Sequence, residues 1–329
     1  MRSSKIRLEQ IAAPENLRES FLRAARGKTG REAVRSFRTR LPEELAALRA
    51  EILDGRVELG RFSSFIIHEP KERRIHAPRF RERVLHHALI GPVEVDFERW
   101  LIDGCYACRR GKGRELALRR AEHFARRHPW ALKLDVRKYF DSIPHDRLMG
   151  EMERRFRDQR VVALWRRIVE AYATAPGRGL PIGALTSQHL ANFYLAKLDR
   201  LVKEQLCIKG YLRYMDDLLL FGQRQALGKA RTAIECFLEQ ELGLALNRSQ
   251  SLQPVRRGVA CLGYRVYPQG SELLRSSRRR FLKRWAWVER QLNRGELEES
   301  EAQRRVCAMV AFAKVAKKES SLNFLFGYH

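Results

Sequence analysis

The stretch Gly210-Tyr-Leu-Arg-Tyr-Met-Asp-Asp-Leu-Leu-Leu-Phe-Gly222 decides the fold of this chain. Apolar residues flank an adjacent pair of carboxylates, Asp216 and Asp217, and a glycine bounds the stretch at each end. This pattern predicts two buried strands with the acidic pair at the tight turn of a hairpin. Two like charges side by side on a packed sheet are unfavourable unless a cation neutralises them, and Mg²⁺ prefers carboxylate oxygens. A solvated Asp-Asp turn is the alternative interpretation, because Asp favours turns.

A second acidic position lies at the end of another predicted strand. Apolar and polar residues alternate from Trp130 to Asp135, Phe140 follows five residues later, and a helix is predicted to begin near Pro144. A strand-end carboxylate that meets a hairpin with two more is the arrangement that two-metal phosphoryl transfer needs. We therefore predict Asp135, Asp216 and Asp217 as catalytic residues and ligands of two Mg²⁺ ions, with Mn²⁺ as the alternative ion.

Four motifs follow one another in the order found in reverse transcriptases. They are Asp135 with Phe140, the segment Gly179-Leu-Pro-Ile-Gly-Ala-Leu-Thr-Ser-Gln188, the Tyr-Met-Asp-Asp box, and Leu262-Gly263-Tyr264. Together with the basic stretches at residues 69–75 and 106–113, they make the chain resemble this family from about residue 60 to 270.

The resemblance implies an α+β, right-hand polymerase fold with fingers, palm and a small helical thumb. The implied domains are a helical N-terminal extension (residues 1–60), fingers (61–130, with a further part at 145–185), a palm whose antiparallel sheet carries the Asp-Asp hairpin (131–268), and a thumb (269–329). We expect no RNase H domain after the thumb.

The same resemblance implies roles for further residues. The Val136 carbonyl would complete a metal site, and Lys71 and Arg74 would hold the triphosphate. Phe140 would close the sugar pocket against a 2′-hydroxyl, and Gln188 would contact the incoming nucleotide or the template base. The residues implied to contact the template or the primer are Ile182, Ala184, Leu262, Gly263, Tyr264, Arg278 and Lys283. Three groups of these residues have a structural alternative: a solvated charge for the basic residues, a core aromatic for Phe140, and an ordinary buried strand for residues 262–264.

Within the family, residues 182–188 most resemble the reverse transcriptases of diversity-generating retroelements. Intron-encoded and retron enzymes usually have a Gln-Gly and a Pro in this segment. Two positions depart from the pattern: Ala184 stands where Asn or Ser is frequent, and Ser249-Gln250 stands where many members have a Lys pair. The second departure leaves the general acid for pyrophosphate unassigned.

This narrower resemblance implies a mutagenic role. The enzyme would copy a template RNA into cDNA with errors at template adenines, as in mutagenic retrohoming. Its implied partners are the template RNA, the RNA–cDNA heteroduplex, dNTPs and a small, basic, helical accessory variability protein. A retron-type or defence-associated bacterial reverse transcriptase is one alternative. A catalytically silent RNA-binding scaffold is the other.

Composition is consistent with a nucleic-acid partner. Among 329 residues, 65 Lys and Arg against 39 Asp and Glu give a net charge of +26, which favours polyanions. The sequence has no signal peptide and no apolar run long enough to span a bilayer, so we expect a cytoplasmic protein that does not contact membranes. Cys105-Tyr-Ala-Cys108 has zinc-ligand spacing, but no second pair lies near it in the sequence, which argues against a closed zinc site.

Periodicity elsewhere predicts further elements. Helices are expected over residues 79–101, 115–128, 160–173, 226–242, 276–291 and 296–316. One long helix is expected over residues 186–204, with Ser187 and Gln188 in its first turn. Strands are expected over residues 62–69, near residues 244–246 and over residues 258–267, the last of these carrying Leu262-Gly263-Tyr264.

Overall fold

A computed structural model of the chain describes residues 3–68 and 72–316. Its α-helices in chain order are α1 (Leu8–Ile11), α2 (Pro14–Ala25), α3 (Glu32–Thr39), α4 (Leu41–Asp54), α5 (Phe80–Trp100), α6 (Arg114–Arg127), α7 (Tyr139–Ser142), α8 (His145–Glu153), α9 (Gln159–Glu170), α10 (Leu185–Tyr194), α11 (Ala196–Arg200), α12 (Arg224–Leu242), α13 (Arg275–Asn293) and α14 (Glu299–Lys314). A π-helical turn (Leu201–Gln205) follows α11, and a 3₁₀ turn (Val255–Arg257) precedes β7.

The strands in chain order are β1 (Phe62–Ile67), β2 (Arg73–Pro78), β3 (Trp130–Asp135), β4 (Gly210–Tyr214), β5 (Asp217–Gly222), β6 (Ser251–Pro254), β7 (Val259–Cys261), β8 (Tyr264–Tyr267) and β9 (Gly270–Leu273). The expected mixture of helix and sheet is therefore confirmed. The described residues divide into two compact units. The first comprises residues 3–68, 72–103, 136–200 and 235–246, and the second comprises residues 104–135, 201–234 and 247–316.

The first unit is mainly helical, with one antiparallel hairpin of β1 and β2. Its N-terminal helices pack on α5, and three phenylalanines from α2, α3 and α5 meet there with ring centroids 5.3 to 6.0 Å apart. The α2 helix begins at Pro14, because proline lacks the N–H that the first helical turn leaves unpaired. The α10 helix also packs on α5, so α5 supports the segment that leads into α10.

The second unit contains two antiparallel sheets. One has the strand order β4-β5-β3-β6 and the other has the order β7-β8-β9. Leu212, Leu219 and Phe221 from the first sheet share a buried cluster with Phe124 of α6 and Tyr264 of β8. Hydrophobic burial on this face fixes the register, because a one-residue slip would turn every apolar side chain to the opposite face.

Several bounds match the sequence patterns. The hairpin strands begin at Gly210 and end at Gly222, and β3 ends at Asp135, as predicted. The α8 helix begins directly after Pro144, which is its N-cap.

Three predicted elements were wrong. The long helix over residues 186–204 is instead α10, α11 and a π-helical turn, with Leu195 between the two helices. Residues 244–246 form no strand, since Leu246 makes only one isolated bridge, to Val136. The strand over residues 258–267 is a hairpin of β7 and β8, because Leu262 and Gly263 both have positive φ (51° and 95°) and turn the chain.

Candidate active site

Two carboxylates meet at one end of the β3–β5 ladder. The antiparallel register runs from Trp130 opposite Gly222 to Asp135 opposite Asp217. Residues directly opposite in such a ladder have Cα atoms about 4.5–5.5 Å apart, and their side chains lie on the same face. The strand end therefore places two acidic side chains, 82 positions apart in the chain, next to each other.

The third carboxylate lies in the turn between β4 and β5. Tyr214 pairs with Asp217, so the turn consists of Met215 and Asp216 alone. Met215 has a φ of 58°, in the left-handed region that L-residues other than Asn and Asp rarely adopt, at roughly 1–2 kcal/mol. A strained residue of this kind persists only where surrounding contacts fix it.

A buried guanidinium supplies one such contact. Arg213 of β4 is fully buried, and its Nη1 donates to the Met215 carbonyl over 2.9 Å. Its backbone is held as well, because the Arg213 N–H donates to the Gly104 carbonyl and its own carbonyl accepts from Tyr106 N–H, at 2.8 and 2.9 Å. Tyr214 packs against the core of the second unit, and burial raises the pKa of its phenol.

Protein groups contact both carboxylates of the ladder. Lys133 Nζ lies 3.2 Å from Asp217 Oδ1, and Asn247 Nδ2 donates to Asp135 Oδ2 over 3.2 Å. Asn247 N–H also donates to the Asp135 carbonyl, at 2.7 Å. In residues 3–68 and 72–316, no group of three or more His, Cys, Asp or Glu side chains is arranged to hold a metal ion by itself.

The chemistry of these donors fits a hard divalent cation. Opposed carboxylates on adjacent strands repel each other, and a cation that accepts both oxygens removes that repulsion. The nearby Cys261 does not compete, because burial raises the pKa of its thiol to about 12 and only a thiolate binds metal well. Asp135, Asp216 and Asp217 are therefore the residues that would hold such an ion.

The predicted nucleotide-contacting residues lie in the first unit. Phe140 is half-buried in α7, and its carbonyl accepts from Leu180 N–H over 2.8 Å. Arg74 is exposed on β2, and Gln188 is half-buried in the first turn of α10. Val136 is buried and bridges Leu246. Lys71 lies outside the described residues.

Ile182 and Gly183, which precede Gln188 in the chain, lie closely against β2. His76 N–H donates to the Ile182 carbonyl over 2.7 Å, and a Cβ added at Gly183 would lie 2.7 Å from Ile75 Cγ2. Gly183 has a φ of 118°, so only glycine fits both the backbone conformation and the space. Ile182 is half-buried, whereas Ala184 is buried as the N-cap residue of α10.

The predicted primer and duplex residues lie in the second unit. Leu262 and Gly263 form the β7–β8 turn, whereas Tyr264 is buried and its hydroxyl donates to the Phe312 carbonyl over 2.6 Å. The turn is therefore the accessible part of the motif. Arg278 and Lys283 are exposed on α13.

Sequence reasoning missed three residues of the acidic site. Lys133 precedes Asp135 by two positions, so strand alternation alone would have placed both on one face. Arg213 and Asn247 carried no usable signal, because nothing in the sequence indicates that the arginine is buried or that Asn247 pairs with a residue 112 positions away.

No helix in the described part of the chain is both long and apolar enough to cross a membrane.

Among curated proteins, the chain is similar to protein YkfC of Escherichia coli, with 24% identity over 279 residues that cover 70% of this chain and 73% of YkfC. It is also similar to nuclear intron maturase 4 of Arabidopsis thaliana, with 26% identity over 57% of this chain and 24% of that protein.

An uncharacterised 91 kDa protein in the cob intron of Schizosaccharomyces pombe is 29% identical over 37% of this chain and 16% of its own length. The chain thus spans a quarter or less of the length of two of these three relatives.

Solved structures of telomerase from Candida albicans and Candida tropicalis are also similar, with 10% and 12% identity over 67% and 66% of this chain, and 46% and 55% of those chains. Both have a TM-score of 0.48, which is too low to support an argument about the fold.

The sequence profile described as "Reverse transcriptase (RNA-dependent DNA polymerase)" matches residues 71–266, well over half of the chain. The chain therefore belongs to the reverse transcriptase family, whose members generally use divalent metal ions and bind template RNA.

Proposed function

We propose that this chain is the RNA-directed DNA polymerase of a diversity-generating retroelement, which copies a template RNA into error-prone, adenine-mutagenic cDNA. The observation that carries the polymerase part is the pairing of Asp135 with Asp217, with Asp216 in the adjoining turn. Paired carboxylates at a strand end suit phosphoryl transfer, since such chemistry depends on metal ligands and fixed charges more than on covalent catalysis.

Each acidic residue has an assigned task in this proposal. Asp135 and Asp216 hold the metal ions, and Asp217 assists from the opposite strand together with the Val136 carbonyl. Two Mg²⁺ ions bound there would supply charge stabilisation at the attacking and leaving oxygens. Arg213 keeps the turn in place through the Met215 carbonyl, and Lys133 pairs with Asp217, for which a bound ion would compete.

Residues of the first unit are assigned to the incoming dNTP. The exposed Arg74 offers a guanidinium fork for phosphate, and Lys71 is assigned the same partner. Phe140 is assigned the ribose, where its ring excludes a 2′-hydroxyl. Gln188 and Ile182 are assigned contacts with the nascent base pair, and Ala184 shapes the segment between them.

The right-hand arrangement is part of the proposal. The β1–β2 hairpin belongs to the fingers, the sheet β4-β5-β3-β6 belongs to the palm, and α13 and α14 form the thumb. On α13 the exposed Arg278 and Lys283 contact the backbone of the heteroduplex, which proteins recognise by its shape. The β7–β8 turn supports the primer end. A net charge of +26 favours RNA as the partner, and RNA would also bridge this chain to a basic accessory protein.

The narrower assignment to a retroelement rests on residues 182–188. Their Ile-Gly-Ala-Leu-Thr-Ser-Gln sequence most resembles the enzymes of diversity-generating retroelements. The segment contacts β2 closely at Ile182 and Gly183. A change of sequence in the segment would therefore alter the shape that it presents to a base pair.

The test is primer extension on an RNA template with dNTPs and Mg²⁺, followed by sequencing of the cDNA. Asp216→Asn is the negative control. We expect metal-dependent cDNA with substitutions concentrated at template adenines. Accurate cDNA would retain the polymerase and reject the retroelement assignment. No cDNA, even with a candidate RNA and accessory protein added, would favour an RNA-binding scaffold.

An intron-associated reverse transcriptase is the second candidate. The similarity to an intron maturase of Arabidopsis thaliana and to a protein in a Schizosaccharomyces pombe intron favours it. Accurate copying of structured intron RNA, combined with support of splicing in the same preparation, would select this candidate over the first.

A further inference from the structure

A small cavity lies inside the first unit, between α5 and the segment that leads into α10. Glu82 and His86 of α5 line one side of it. Leu180, Pro181, Thr186 and Ser187 are among the residues that line the rest. The cavity leaves about 10 Å³ for the centre of a water molecule, which is room for one.

Two polar side chains of α5 are buried at this cavity. Glu82 is 6% exposed and His86 is 2% exposed, and they are one helical turn apart. The Glu82 carboxylate accepts hydrogen bonds from the backbone N–H groups of Gly60 and Arg61. His86 Nε2 lies 3.6 Å from Glu82 Oε1, which is too long for a hydrogen bond.

The imidazole of His86 has no hydrogen-bond partner for either ring nitrogen among the described residues. Burial lowers its pKa to about 3, so the ring is neutral at pH 7, with one donor and one acceptor nitrogen. Buried polar groups in native proteins almost always have a partner, often an ordered water. The cavity is lined mainly by apolar residues, but four polar side chains, Glu82, His86, Thr186 and Ser187, also line it, and it has room for one water beside an unpartnered imidazole.

The cavity is also lined by residues on either side of Ile182 and Gly183. Thr186 and Ser187 are buried, carry hydroxyl groups and lie in the first turn of α10. Leu180 and Pro181 precede Ile182, whose carbonyl is fixed by His76 of β2. The segment is therefore hydrogen-bonded to β2 at Ile182, and it lines the cavity both before and after that residue.

We propose that the cavity binds one water molecule that links His86 and Glu82 to the start of α10, and that these two residues thereby position residues 182–188. His86 and Glu82 are positioning residues, since they act through the water and the segment. The inference extends the proposed function, because a shift of this segment changes the surface assigned to the nascent base pair.

Three variants of the full chain separate this role from general stability. His86→Leu removes both ring nitrogens and keeps an apolar side chain of similar size, whereas His86→Gln restores a donor and an acceptor. Val93→Ala lies on the same helix, is equally buried and does not line the cavity. It controls for destabilisation of α5.

The first measurement is amide hydrogen–deuterium exchange of peptides covering residues 180–194 in the protein alone. We expect His86→Leu to raise exchange there by about threefold or more, the size expected for coupling through one packed element. His86→Gln should stay close to the wild type, and Val93→Ala should not change this segment selectively. Equal exchange in the wild type and His86→Leu, or the same change in Val93→Ala, would overturn the proposal.

The second measurement is the error frequency at each template base in primer extension. His86→Leu should change it by about threefold or more at one base type, and His86→Gln should restore the wild-type pattern. An unchanged pattern in His86→Leu would overturn the link to base selection. If the wild type extends no primer, the proposed polymerase function fails, while hydrogen exchange still decides whether the cavity positions the segment.

Discussion

The acidic end of β3 and β5 and the segment at residues 180–188 are constructed in opposite ways. The strand end places like charges together, and it is held by an ion pair and hydrogen bonds from Lys133, Asn247 and Arg213. The segment contains no charged side chain, and it is held by backbone hydrogen bonds and a glycine, Gly183, at which any side chain would be strained and crowded. Activity at the strand end should therefore tolerate small changes in side-chain shape but not the loss of a carboxylate charge. The stability of the segment should tolerate changes of nearby charge but not added side-chain volume.

The largest expected effect comes from removing one charge at the strand end. Asp135→Asn keeps the size of the side chain but loses an anionic ligand, and should lower primer extension by about 10³-fold or more, which corresponds to several kcal/mol of transition-state stabilisation. The thermal unfolding temperature without metal should not fall, because the substitution removes repulsion with Asp217. Single-turnover extension and calorimetry measure the two quantities. Unchanged extension would show that charge at this site is not needed.

The segment at residues 180–188 should be destabilised by added side-chain volume. Gly183→Ala places a Cβ within 2.7 Å of Ile75 and forces alanine to a φ of 118°, so we expect a loss of about 1–3 kcal/mol in the free energy of unfolding. Gly150→Ala is the matched control, since that glycine lies inside α8 with open space around it. The control should be neutral, or more stable by up to about 1 kcal/mol. Denaturant unfolding distinguishes them, and equal effects would contradict the packing argument.

Buried titratable side chains should make the stability of the protein depend on pH. Burial lowers the pKa of His86 to about 3 and that of His189 to about 4, from an ordinary 6.5. Below pH 6.5 the unfolded chain binds protons that the folded first unit does not, so stability is lost as pH falls. For His86 the slope reaches about 1.4 kcal/mol per pH unit.

Buried thiol and phenol groups act in the opposite direction. Burial raises the pKa of Cys261 and of Tyr264 to about 12, so stability should fall at alkaline pH, where the unfolded groups ionise first. Melting temperatures between pH 4.5 and 10.5 test both effects. The fall in melting temperature at acid pH should be smaller in His86→Leu, and the fall at alkaline pH should be smaller in Cys261→Ala. Neither variant should alter the fall at the other end of the pH range, and the opposite pattern would contradict the assignment.

The smallest expected effect concerns the ion pair at the strand end. Lys133→Met should change the free energy of unfolding by less than about 1 kcal/mol, because both partners are partly exposed. It should also lower the Mg²⁺ concentration for half-maximal extension, since Lys133 no longer competes for Asp217. Lys197→Met, which breaks an ion pair with Glu151 in the first unit, is the control and should leave the Mg²⁺ dependence unchanged. A rise in the Mg²⁺ requirement in Lys133→Met would show that the lysine assists the site.

The difference between the regions also explains what could be predicted. Alternation and glycine bounds gave β3, β4 and β5 correctly, because the side-chain period of a strand is a local property. The hairpin of β7 and β8 was predicted as one strand, since the positive φ of Leu262 depends on packing that no local pattern reports. The roles of the acidic residues stay predictions until activity is measured.

The sequence by itself determined which residue types are present for chemistry and where the strands that carry them begin and end. Family membership also follows from sequence, because the reverse transcriptase profile matches residues 71–266. Only the tertiary structure decided that Asp135 lies opposite Asp217, that Lys133 and Asn247 contact them, and that His86 is buried beside a cavity. The physical reason is distance along the chain. Contacts between residues about 80 to 110 positions apart depend on how whole elements bury their apolar faces, and no local pattern reports that outcome.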